Sequence, residues 1–182
     1  HLLAVRARLI RFRQRYAQVE TTLDFYGDAI NTRTSPKLRA ILRALDLIAG
    51  RSMDAVLVPL GRKSPLVLTY IDKGMGASIL RAGVRLWDGG TFSPVAAIKI
   101  TRHNLYRPTS LVHETGHQVE NLLGWAREFA GLLRRELSQS ASPALAEAWA
   151  ETVSEVVADV FAFVHCGYGA VAALHDGVAA DE

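Results

Sequence analysis

The chain has 182 residues, 49% hydrophobic and 21% charged, with a net charge of +3. This is globular composition, long enough to bury a core without disulfide or metal staples, and it excludes a disordered or fibrous chain. The lone cysteine, Cys166, cannot form an internal disulfide, so nothing calls for an oxidising compartment and the expected location is cytoplasmic. Residue 1 is His rather than Met, so the numbered chain reads as an excised or processed piece.

From Leu2 to Leu23 the apolar residues Leu2, Val5, Leu9, Phe12, Tyr16, Val19 and Leu23 recur at threes and fours, which predicts one buried helical stripe. Arg6, Arg8, Arg11, Arg13 and Arg15 crowd the same helix, mostly off that stripe, and read as a solvated face. Ser35-Pro36 opens a second helix carrying Leu38, Ile41, Leu42, Leu45 and Ile48, which Gly50 is expected to end. Residues 1–52 therefore read as a helical hairpin.

Residues 53–107 change character. Ala55–Leu60, Leu66–Ile71, Ser78–Trp87 and Pro94–Thr101 are short runs rich in Val, Ile, Leu and Tyr, separated by glycine-containing breaks. They predict a small, mostly antiparallel sheet, with Asp88-Gly89-Gly90 as a hairpin turn. Residues 108–182 return to helix, at Pro108–Leu123, Trp125–Leu137, Pro143–Val164 and a last segment after Gly169. Trp87, Trp125 and Trp149 are expected in the core. The fold class is α+β in one compact domain, 1–182, whose helical last part carries the chemistry. The longest run without Asp, Glu, Lys or Arg, Val160 to His175, is interrupted by Gly167 and Gly169 and too short to span a bilayer, so no transmembrane segment is expected.

That chemistry centres on His113-Glu114-Thr115-Gly116-His117. Two imidazoles four positions apart on a helix share one face, so both reach one ion, and zinc accepts imidazole nitrogen at about 2.0–2.1 Å. Glu114 lies about 100° round the helix from His113, where it can take a proton from a metal-bound water rather than ligate. Gly116 is read as the place where a neighbouring element approaches the helix closely. Further on, Glu151, Glu155 and Asp159 recur at fours on a segment otherwise rich in Val and Phe. Carboxylates there are expensive to bury unpaired, and a cation opposite them would explain the pattern. Glu120 and Glu151 both stand as rivals to Glu155 for a third ligand.

The pattern His113-Glu-x-x-His117 followed by Glu155-x-x-x-Asp159 resembles the gluzincin, or thermolysin-like, zinc metallopeptidases. The resemblance covers Ser93 to Phe163 and leaves the first ninety residues unmatched. It implies a zincin-like fold with one zinc per chain, held by His113, His117 and Glu155. It further implies Glu114 as the base that activates water, and Asp159 hydrogen-bonded to a ligand histidine, His113. It also implies an edge strand before the metal helix for an extended peptide, with Pro94–Thr101 as the candidate. Two departures stand out. The connection from His117 to Glu155 is longer than in thermolysin, and no motif aligns with the family's oxyanion-stabilising His or Tyr. Tyr168 and His165 lead for that role, ahead of His175, His103 and Tyr106.

The expected function is zinc-dependent hydrolysis of a peptide or protein substrate. The alternative is a non-catalytic zinc-binding interaction or sensor domain of a larger regulatory or toxin-like protein. A nucleic-acid-binding role for the arginine-rich helix is a third reading, and no nucleic-acid motif accompanies it. Cys166 is read as a small buried hydrophobe.

Overall fold

The computed structural model describes residues 2–72, 77–83 and 93–179. Two helices, α1 (Leu2–Thr32) and α2 (Pro36–Leu57), lead into strands β1 (Leu66–Ile71), β2 (Ser78–Leu80) and β3 (Val95–Ile100). A 3-10 turn, Arg102–Tyr106, precedes helices α3 (Thr109–Leu123), α4 (Trp125–Leu137), α5 (Pro143–Glu151), α6 (Val153–Cys166) and α7 (Tyr168–Ala179). The chain is α+β, as its sequence pattern indicates.

Strand β3 is the middle strand, in the order β1-β3-β2. It runs parallel to β1 from Leu66↔Val95 to Ile71↔Ile100, and antiparallel to β2 from Ser78↔Lys99 to Leu80↔Ala97. The sheet is therefore mixed and its longer ladder is the parallel one, a point that alternating hydrophobicity alone does not encode. The turn expected at Asp88-Gly89-Gly90, and Trp87, lie outside the described residues.

Successive side chains of β3 point to opposite faces. Ile98 and Ile100 pack with Leu42, Leu45 and Leu111 of α2 and α3. Ala97, with Tyr70 of β1, packs with Ala29 and Phe25 of α1. Thus α1 and α2 cover opposite faces of the sheet instead of closing on each other as a hairpin. Asp46 ties the three parts together: its Oδ1 accepts from Arg33 at 2.8 Å and from the Thr69 N–H at 2.7 Å.

Three further expectations are corrected. The run Ala55–Leu60 is no strand, because Met53 and Leu57, four apart and fully buried, extend α2 past Gly50 onto Val112, Val119 and Phe161. The apolar stripe of α1 is not buried: Leu2, Leu9, Phe12, Tyr16 and Leu23 are exposed, and only Thr22 and Ala29 of this helix are fully covered. Periodicity defines a face, not what covers it. The helix expected over Pro143–Val164 is two helices, broken at Thr152, whose ψ of 10° interrupts the helical path, and Trp149 is half exposed.

Helix α3 is the centre of the second half, with α2 against one side and α6 packed along the other. Ser142 caps α5 by accepting from the Leu145 N–H, with Pro143 at the first helical position, and Gly124 ends α3 in the left-handed region at φ 71°. The α3–α6 approach depends on Gly116. A Cβ there would stand 2.9 Å from the Ala158 Cα and 3.0 Å from the Phe161 Cβ, so the α6 backbone would have to move. Gly116→Ala is therefore expected to destabilise the fold by about 1–3 kcal/mol through overpacking, only partly offset by better helix propensity. Gly131→Ala, in open space on α4, should instead stabilise by about 0.5–1 kcal/mol. Denaturant titration of both variants checks the contrast.

Candidate metal centre

His113 and His117 project from adjacent turns of α3, with ring centroids 4.9 Å apart and planes at 87°. Glu155, in the first turn of α6, faces both. Its Oε2 lies 3.3 Å from His113 Nε2 and its Oε1 lies 3.5 Å from His117 Nε2. One donor atom from each residue lies within 4.8 Å of the others. Ligands about 2.1 Å from a tetrahedral ion stand about 3.4 Å apart, so these separations fit zinc.

The far side of each imidazole is occupied. His113 Nδ1 is 2.8 Å from Asp159 Oδ1. His117 Nδ1 is 3.1 Å from Ser154 Oγ, and the Ser154 hydroxyl donates to Glu120 Oε2 at 3.1 Å. With the ring protons on Nδ1, where Asp159 and the Ser154–Glu120 pair can accept them, the Nε2 lone pairs face the Glu155 carboxylate. In that tautomer three acceptors face one another, an arrangement a cation would resolve. Burial also pushes the His117 pKa down, against the pull of Glu155, which favours the neutral form of the ring.

Glu114 lines two clefts that meet at His113. Burial raises its pKa, and the neighbouring Glu155 adds to the rise, against the lowering influence of His113, Arg81 and Lys99. The larger cleft, about 660 Å³, has apolar walls of Val160, Phe163, Val171 and Leu174. The other runs beside β2 and contains Arg81, His117 and Glu155. The strand beside the site is thus the edge strand β2 and not Pro94–Thr101, which forms the middle strand. Gln118, fully buried, holds the end of β2 in place: its Oε1 accepts from the Ala82 N–H at 2.8 Å and its Nε2 donates to the Ala82 carbonyl at 3.4 Å.

The structure also separates the rivals. Glu151 is exposed on α5, beyond the break, and has no part in the donor group. Glu120 is buried behind Ser154, so it supports His117. Neither oxyanion candidate lines the clefts. Tyr168 is exposed, and the His165 ring lies 4.2 Å from that of Phe161 with Nδ1 bonded to the Phe161 carbonyl. Among the five aromatic and imidazole candidates only His103 lines a cleft. Arg81, Ser154 and Gln118 escaped the sequence reading. Ser154 has one visible signal, since it directly precedes Glu155 on the same helix; Arg81 and Gln118 have none without the fold. Cys166 is half-buried, and burial raises its thiol pKa.

Comparison with known protein families, with curated proteins and with solved structures finds no match.

A raised folded-state pKa means that Glu114 supports folding below its ordinary value of 4.5 and costs stability as pH rises through the folded value. In metal-free protein, Glu114→Gln is therefore expected to raise the thermal midpoint near neutral pH, with the gain fading towards pH 4. Scanning calorimetry in the presence of chelator reads this directly, and an equal gain at both pH values would contradict it.

Proposed function

We propose that the chain is a zinc-dependent peptidase of the gluzincin type. The observation that carries this reading is the convergence of two imidazole Nε2 atoms and one carboxylate, with one donor atom of each within 4.8 Å of the others, and with Glu114 beside them and not among them. In this reading His113, His117 and Glu155 hold the ion, while Asp159 and the Ser154–Glu120 pair keep the two rings oriented. Zinc, when bound, polarises a carbonyl and acidifies a coordinated water.

Glu114 accepts the proton of the attacking water and returns it to the leaving amine. Its upward-shifted pKa brings it closer to the working pH of such a base. Arg81, across the second cleft, supplies positive charge towards the developing oxyanion, in place of Tyr168 or His165. The outer edge of β2, unpaired among the described residues, can hydrogen-bond an extended peptide. The apolar cleft then takes one side chain beside the scissile bond. Among the described residues no helix is long and apolar enough to cross a membrane. We place this activity in the cytoplasm, where a lone, half-buried thiol is at no disadvantage.

Metal analysis and a mixed peptide library read by mass spectrometry test the proposal. The purified chain should carry about one zinc. Glu114→Gln should keep the zinc and lose at least about 10²-fold in cleavage, while chelator should abolish cleavage. Cleavage that persists in Glu114→Gln would remove this residue from the mechanism. A zinc-loaded wild type that cleaves nothing would favour the non-catalytic zinc-binding domain.

A further inference from the structure

Among the described residues, the buried contacts of helix α1 with the body of the protein lie near its C-terminal end, at Thr22, Phe25, Tyr26 and Ala29. Residues 2–21 add about 30 Å of helix at about 1.5 Å per residue, and none of them is fully buried. Leu2, Val5, Leu9, Ile10, Phe12 and Tyr16 are between 47% and 86% exposed. Contiguous apolar surface of this extent marks an interaction site.

Charge narrows what can cover it. Arg6, Arg8, Arg11, Arg13 and Arg15 lie within the same four turns, and no Asp or Glu precedes Glu20. At about 100° per residue, Arg8, Arg11, Gln14, Arg15 and Gln18 fall within an arc of about 120°. Leu2, Val5, Leu9, Phe12 and Tyr16 lie together on the far side, and Leu3 and Ile10 widen that apolar face. Arg6 and Arg13 fall inside that widened face, between Leu2 and Ile10, where their long apolar stems can lie along the surface while the guanidinium groups reach outward.

We propose that this N-terminal half of α1 lies in the surface of an anionic lipid bilayer. Its apolar face enters the boundary of the acyl chains, and its arginines meet headgroup phosphates. A second copy of the chain fits poorly, because pairing the apolar faces would bring Arg6 and Arg13 of both helices to the seam and leave Arg8, Arg11 and Arg15 without a counter-charge. Nucleic acid would satisfy the arginines and leave the apolar face in water. A lipid surface satisfies both halves of the helix, and the helix stays in the interface plane because it is too short of apolar residues to span.

Co-sedimentation of the full 182-residue chain with vesicles tests this, using phosphatidylcholine alone and phosphatidylcholine mixed with phosphatidylglycerol. Partitioning should be at least about tenfold stronger on the anionic vesicles and should weaken as salt rises. The double variant Leu9→Ser/Phe12→Ser and the triple variant Arg8→Gln/Arg11→Gln/Arg15→Gln should each lose at least about tenfold. Both should keep the wild-type thermal midpoint, because these side chains are exposed. Equal partitioning onto both vesicle types, or none onto either, overturns the proposal. Concentration-dependent dimerisation that Leu9→Ser/Phe12→Ser abolishes, without vesicle binding, assigns the face to a second copy. Duplex DNA binding tighter than vesicle binding and unchanged in Leu9→Ser/Phe12→Ser assigns the arginines to nucleic acid.

Discussion

The contact between α3 and α6 at Gly116 is the constraint on which the candidate centre rests. Two donor atoms sit on α3 and the third on α6, so their spacing is set by how closely the two helices approach. A side chain at residue 116 would meet the α6 backbone at Ala158, one residue before Asp159. The absent side chain therefore governs two polar contacts at once, the Glu155 carboxylate facing both imidazoles and the Asp159 carboxylate behind His113. The break at Thr152 serves the same end. It frees α6 from the direction of α5 and places Ser154 and Glu155 in a first turn that can face α3.

The electrostatics follow from that geometry. Each ring has its Nδ1 committed to a partner on the opposite helix, by one direct carboxylate for His113 and by a serine backed by buried Glu120 for His117. The ring orientations are thereby determined without an ion, which would lower the cost of organising these residues around one. Glu155 itself is largely exposed, unlike His117, so the open side of the centre faces the cleft and β2.

Much of the helical half was legible in the amino-acid sequence because its signals are local. The His-Glu-x-x-His spacing, Pro108 before α3, Gly124 after it and Pro143 opening α5 each act within a turn or two. What was not legible depends on partners distant in the chain. The apolar stripe of α1 looks identical whether a core or another surface covers it. Ala55–Leu57 resembles a strand until Met53 and Leu57 are seen packed on α3 and α6. The mixed sheet, the edge position of β2 and the entry of Arg81 into the cleft are set by chain crossings and by the two bonds from Gln118 to Ala82. Glu151 kept the right spacing but not the right helix, since a single residue with ψ near 10° turned it away.

X-ray absorption at the zinc edge of the metal-loaded protein tests the central claim most directly. The account predicts a four-coordinate shell of two imidazole nitrogens and oxygen ligands at about 2.0–2.2 Å, reduced by the loss of one imidazole in His113→Ala or in His117→Ala. A shell with sulfur at about 2.3 Å, or one without imidazole scattering, would contradict it.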